Sequence, residues 1–128
     1  ICFDIAFANT VRIMNKSSLL MINVSNDTWF GNSIGPYQHL NIARIRSIEN
    51  KRWTIRSTND GISAIINSNG TVVDKLEKGK SGVLEGKVEL INNNTLYNNY
   101  GYLFTYLFSF IILIMALFTK IWKKSHTN

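Results

Sequence analysis

The single cysteine of the sequence, Cys2, stands between apolar residues and an acid in Ile1-Cys2-Phe3-Asp4. One thiol forms neither an internal disulfide nor a CxxC metal site, so it is left to packing or to nucleophilic chemistry. A sharp strand-to-helix turn here would expose the thiol and aim backbone N–H groups at the same point. The amino end of the following helix would also favour the thiolate. An inert buried cysteine fits the local residues as well, and they leave both readings open. Neither histidine completes a Cys–His dyad. His39 falls in a helical pattern, where a solitary histidine reads as structural, and His126 lies beyond a long apolar run.

A second chemical candidate is Asn26-Asp27-Thr28-Trp29-Phe30-Gly31. Its adjacent aromatics suit a lipid-chain pocket, a membrane surface, or a cap on a sheet. Asn23, Asn26 and Asn69 each begin a glycosylation-type triplet, read as chance because two overlap a strand or this loop. Arg44, Arg46 and Glu49 could form a head-group site, but a solvated helix face with ordinary ion pairs is the simpler expectation.

The elements that must position these residues follow from the patterning. Ile1–Asp4 reads as a strand end and Ile5–Lys16 as helical. Leu19-Leu20-Met21-Ile22 is a continuous apolar run, as in a strand buried on both faces. Tyr37–Arg52 reads as a helix with Pro36 at its entry; Leu40, Ala43 and Ser47 form one stripe, and Ile42, Ile45 and Ile48 another. Trp53–Arg56 and Ile62–Ile66 read as strands around the turn Thr58–Gly61. Asn69-Gly70, taken as two positive-φ residues, then joins Ile62–Asn67 to Thr71–Leu76 in a hairpin. In Leu84–Leu90 apolar residues alternate with Glu85, Lys87 and Glu89, the pattern of a strand with one wet face. This order predicts an α/β domain with a mixed sheet.

The sequence has 14 basic and 8 acidic residues, and the basic ones are dispersed without an aromatic-basic RNA signature, so no nucleic-acid partner is expected. No metal-ligand spacing is present, and neither metal nor cofactor is expected. Composition changes near residue 100. Tyr100–Thr119 carries no charge, and as a helix it reaches about 30 Å, the depth of a bilayer's hydrocarbon. Tyr97, Tyr100, Tyr102 and Tyr106 crowd one end; Trp122, Lys120, Lys123 and Lys124 mark the other. The positive-inside rule puts the lysines in the cytoplasm and the preceding domain outside it. The expected organisation is a domain over residues 1–91, a polar linker over 92–99, a transmembrane helix over 100–119 and a cytoplasmic tail over 120–128. Ile1 begins within an established pattern, which suggests a piece of a longer protein.

In order, the chain presents Ile1-Cys2-Phe3-Asp4-Ile5, Ile22–Gly31 (INVSNDTWFG), Ser33–Glu49 (SIGPYQHLNIARIRSIE) and Arg56–Ile62 (RSTNDGI). The hairpin Ile66–Gly70, Gly82–Gly86, Thr95-Leu96-Tyr97 and the apolar run then follow. These blocks resemble the apolipoprotein N-acyltransferase family of the nitrilase superfamily. The resemblance implies part of a nitrilase-type αββα sandwich, followed by one carboxy-terminal transmembrane helix, in the periplasm of the bacterial inner membrane. It implies a Glu-Lys-Cys triad with Cys2 as nucleophile, a phospholipid acyl donor and an apolipoprotein acceptor. Phe3 and Asp4 fall at oxyanion and substrate-positioning places, and Trp29 and Phe30 at substrate access. Phe3 replaces the usual tyrosine and Asp4 the usual glutamate. The triad's glutamate and lysine belong upstream of Cys2, so Glu49, Glu85 and the lysines here do not supply them, and the fragment alone is expected to be inactive. A non-catalytic, membrane-tethered binding module and a small-amide amidase are the alternatives.

Overall fold

The computed structural model describes the backbone of residues 1–125 and the side chains of residues 1–119. Cys2 opens a short 3-10 helix, Cys2–Ala6, rather than ending a strand. Its φ of 52° is left-handed, which no strand accepts, and the Asp4 N–H closes onto the Ile1 carbonyl at 3.1 Å. The helical pattern of Ile5–Lys16 breaks at Phe7, whose backbone is extended, so α1 spans only Ala8–Met14.

The first strand, β1, is Met21–Asn26, and only one of its faces is covered. Met21, Asn23 and Ser25 point inward, while Ile22 and Val24 are 69% and 54% exposed. The expectation of burial on both faces is therefore corrected. An apolar run supplies two apolar faces, but no described element packs over the second one.

The helix α2 runs Gly35–Asn50, two residues earlier than the sequence pattern suggests at each end. Pro36 sits in its first turn, where the missing N–H has no helical partner to lose. Leu40, Ala43 and Ser47 are buried as expected; of the second stripe, Ile45 and Ile48 face solvent and Ile42 is half-buried. Arg46 corrects the picture of a solvated ionic face. It is buried, donates to the Ile5 carbonyl at 3.0 Å, and pairs with Glu49.

Three strands complete the sheet: β2 (Thr54–Asn59), β3 (Ser63–Ile66) and β4 (Val72–Leu76). Their order is β1-β2-β3-β4, with β1 and β2 parallel across the α2 crossover and the remaining pairs antiparallel. The sheet is mixed, as the patterning predicts. In the β3–β4 turn only Gly70 has positive φ (77°), not both residues. Asn67 takes over the second role, its Oδ1 accepting from the N–H groups of Asn69 and Thr71, each at 2.9 Å. The core lies between the sheet and α2: Met21, Ala64 and Ile66 meet Leu40 and Ala43, with Ile5, Val11 and Ile62 at the margins. Each large apolar side chain buried there contributes about 1.5–3 kcal/mol.

Leu84–Leu90 is not a strand. It crosses the sheet without regular pairing, with Gly86 so close over Ile65 that a Cβ would meet its Cδ1 at 2.7 Å. Alternation gave this segment an apolar face, but that close seat, not a partner strand, fixes its path. Arg52 then holds the following residues, donating to the Ser18 carbonyl at 2.6 Å, the Asn93 carbonyl at 2.6 Å and the Asn94 side chain at 3.2 Å. A short helix, α3 (Leu96–Tyr100), is capped by Thr95 and fixed to α2 through Asn98 Nδ2 donating to Asn50 Oδ1 at 2.7 Å.

Gly101 separates α3 from α4 (Leu103–Ser125), so the apolar segment begins its long helix three residues later than expected. Among the described residues no helix is long and apolar enough to cross a membrane. The large apolar side chains from Leu103 to Phe118 are nonetheless exposed all around the helix. The side chains of Lys120, Trp122, Lys123, Lys124 and His126 lie outside the described residues.

Candidate active site

The left-handed turn at Cys2 lifts a half-buried thiol above the carboxyl end of β1. A non-glycine residue held at positive φ costs about 1–3 kcal/mol and persists where its surroundings fix it. Here two contacts do so: Asn23 Nδ2 donates to the Cys2 carbonyl at 3.2 Å, and Ser25 Oγ lies 3.5 Å from Cys2 Sγ. The thiol is held below its ordinary pKa. The first cause is a hydrogen bond from the Asn26 backbone, the next is Ser25, and burial opposes both. The Phe3 backbone also acts in the thiolate's favour. These contacts favour the thiolate form of Cys2 over the thiol.

Behind the thiol lies a charged network with almost no exposed surface. Asp27, fully buried, receives Ser25 Oγ at 2.7 Å and Arg56 Nη2 at 2.8 Å, and its Oδ1 lies 2.9 Å from His39 Nδ1. The second guanidinium nitrogen of Arg56 donates to Asn23 Oδ1. The strand pleat explains the assembly, because Asn23 and Ser25 alternate with the outward Ile22 and Val24 and share a face with Arg56 on β2. His39 is 1% exposed, and its pKa is lowered, first by burial and then by Arg56, against the pull of Asp27. Its neutral ring therefore donates from Nδ1 to the Asp27 carboxylate.

Of the residues singled out in the sequence, Phe3, Trp29 and Phe30 come together over His39. Phe3 lies edge-on to Trp29 at 6.1 Å and 5.5 Å from the His39 ring. Trp29 stacks on Phe30 at 3.9 Å, and Phe30 meets His39 edge-on at 5.8 Å. Trp29 is 64% exposed, so the ridge offers an apolar surface beside the thiol. Asp4 is on the solvent side of the turn, its side chain 66% exposed. His39, read as structural, is indeed buried and paired, but it belongs to the network behind Cys2. Ser25 and Arg56 carried no role of their own in the sequence reading, and Asp27 entered only as part of the candidate loop Asn26–Gly31. The signal that could have found Ser25 and Asp27 is Asn-x-Ser-x-Asp, which runs from alternate positions of β1 to the residue just past its end and is polar where the intervening apolar residues point outward.

The carbon-nitrogen hydrolase family model matches residues 1–92, which include the strained turn, the buried network and the whole sheet. The chain belongs to that family. Among curated relatives of this carbon-nitrogen hydrolase chain, three are each named apolipoprotein N-acyltransferase. One from Pseudomonas paraeruginosa (strain DSM 24068 / PA7) is 38% identical over 100 residues, covering 78% of this chain and 20% of the relative. One from Haemophilus ducreyi is 32% identical over 128 residues, covering 98% and 25%, and one from Rickettsia bellii 36% over 116 residues, covering 90% and 23%. The chain thus spans a fifth to a quarter of the length of these relatives.

Proposed function

We propose that this chain is the nucleophile-bearing, carboxy-terminal part of a phospholipid:apolipoprotein N-acyltransferase, with residues 1–91 in a four-layer αββα sandwich. The observation that carries the reading is the thiol on its left-handed turn, favoured as thiolate by backbone N–H groups and set beside an exposed aromatic ridge. The relatives' names agree with it. Cys2 Sγ attacks the acyl-ester carbonyl of a phospholipid, and the Phe3 N–H stabilises the resulting oxyanion. Collapse expels the lysophospholipid alkoxide, which takes a proton, and leaves a Cys2 thioester. The α-amino group of the acceptor's lipidated cysteine attacks that thioester, forms the amide, loses a proton and restores the thiolate. One difficult transfer becomes two easier ones. The Trp29–Phe30 ridge guides the acyl chain, and Asp4 on the solvent side orients the incoming amine.

The base glutamate and the oxyanion lysine come from the part of the whole protein that precedes Cys2. Glu49 and Glu85 follow Cys2 in the chain and so do not take that glutamate's place; Glu49 pairs with Arg46 on α2. The α4 helix is the membrane anchor: its apolar side chains face outward on every side, as in a helix solvated by lipid. The domain then faces the periplasm, and the tail after Thr119 faces the cytoplasm.

The test is N-acylation of a diacylated lipopeptide by the full-length protein in phospholipid micelles, read by mass spectrometry. Acylation that Cys2→Ser abolishes supports the reading; equal acylation by that variant overturns it. The 128-residue chain alone is expected to be inactive in the same assay, since it lacks the base and the oxyanion cation.

A further inference from the structure

We propose that Ser25 is a positioning residue for Cys2, its hydroxyl moving between Asp27 and Sγ as the thiol loses its proton. The inference rests on the reading of Cys2 as the acyl carrier, and deepens it. Ser25 Oγ has one proton and two neighbours able to receive it, Asp27 Oδ1 at 2.7 Å and Cys2 Sγ at 3.5 Å. While Cys2 is a thiol, the shorter bond to the carboxylate holds that proton. When Sγ becomes charged, the hydroxyl turns toward it, since hydrogen bonds to an ionised acceptor are the stronger ones.

The turn is permitted because Asp27 does not depend on Ser25. Arg56 Nη2 and His39 Nδ1 still occupy its two oxygens, at 2.8 and 2.9 Å. A carboxylate this deeply buried tolerates losing one donor only if others remain. The Arg56–Asp27–His39 group therefore keeps Ser25 in place yet leaves its proton free to move.

The charged groups around the thiol are few. Asp4 lies on its own turn and faces solvent, while Asp27 follows β1. His39 is on α2, and Arg56 is on β2. Arg46 of α2 is turned to the far end of the turn, at the Ile5 carbonyl, and Arg12 of α1 is engaged with Asn9 and the Asn98 carbonyl. Among the described residues, Ser25 alone has a hydroxyl in contact with both Asp27 and Sγ.

The experiment follows carboxamidomethylation of Cys2 by iodoacetamide against pH, in full-length protein, by mass spectrometry of the Cys2 peptide. Ser25→Ala is compared with wild type. Ser25→Thr is compared with Ser25→Val, a pair of nearly equal shape that differs in the hydroxyl. Ala and Val variants are expected to alkylate with midpoints about one pH unit higher, a roughly tenfold slower reaction below the midpoint. Ser25→Thr should keep the wild-type midpoint. The rate of acyl loading should fall with the thiolate fraction while the KM for phospholipid stays constant. An unchanged midpoint in Ala and Val, or a midpoint in Thr raised as far as in Val, would overturn the inference. A wild-type protein that alkylates readily yet never takes up an acyl chain would defeat the acyltransferase reading and leave the Ser25 contact standing.

Discussion

Asp27, Arg56 and His39 concentrate three polar side chains in a space closed to water, and their balance governs the neighbourhood of Cys2. Removing one partner strands the others. Arg56→Met should destabilise the domain by about 3–5 kcal/mol, because the Asp27 carboxylate stays buried without its cation. Chemical denaturation followed by tryptophan fluorescence measures that loss. His39 adds a pH dependence of defined sign. Its folded pKa lies below the unfolded value of 6.5, so the unfolded chain takes up a proton that the folded ring refuses. Its contribution to stability is complete above pH 6.5 and shrinks as pH falls from there toward the folded pKa. Denaturation midpoints should drop between pH 7.5 and 5.5 in wild type and drop less in His39→Asn. At this scale the sequence drew attention to Cys2, its one cysteine, and to the adjacent aromatics Trp29 and Phe30 by residue type, and to Phe3 only through the family resemblance. It did not show that Asp27 and Arg56 pair, because burial of a charge is decided by partners distant in sequence; Asp27, just past the end of β1, meets Arg56 of β2 from 29 positions away.

Elements were legible wherever a periodic pattern had a surface to meet. The apolar stripe Leu40, Ala43 and Ser47 predicted the buried face of α2, and the Asn69-Gly70 hairpin formed where expected. Leu84–Leu90 had the pattern without the partner, and Cys2–Ala6 became a turn because backbone strain at one residue is not written in hydropathy. Gly35, at the start of α2, links element and site. A Cβ there would lie 2.1 Å from the Phe30 ring, so Gly35→Ala must displace Phe30 and the Trp29 stacked on it. Overpacking of this kind costs about 1–3 kcal/mol. The expected result is a stability loss in that range with a shift in tryptophan emission, and lowered acylation while Cys2 still alkylates at the wild-type pH midpoint.

For the whole molecule, the decisive features are a domain whose outer β1 face is open and a terminal helix with apolar side chains on every side. The clasp of Arg52 on Asn93 and Asn94 and of Asn50 on Asn98 ties α3 to the domain, so the root of α4 is held beside α2. Reporter fusions test the orientation: insertion within Asn92–Asn99 should report a periplasmic location, and fusion after Asn128 a cytoplasmic one. Periplasmic activity from the terminal fusion would reverse the topology. The chemistry itself is tested most directly by incubating full-length protein with phospholipid labelled in its acyl chain. Label should remain on Cys2 as a thioester, be stripped by neutral hydroxylamine, and discharge onto a peptide bearing a free α-amine. Cys2→Ser should take up none. Labelling that persists unchanged in Cys2→Ser would show that another residue carries the acyl group.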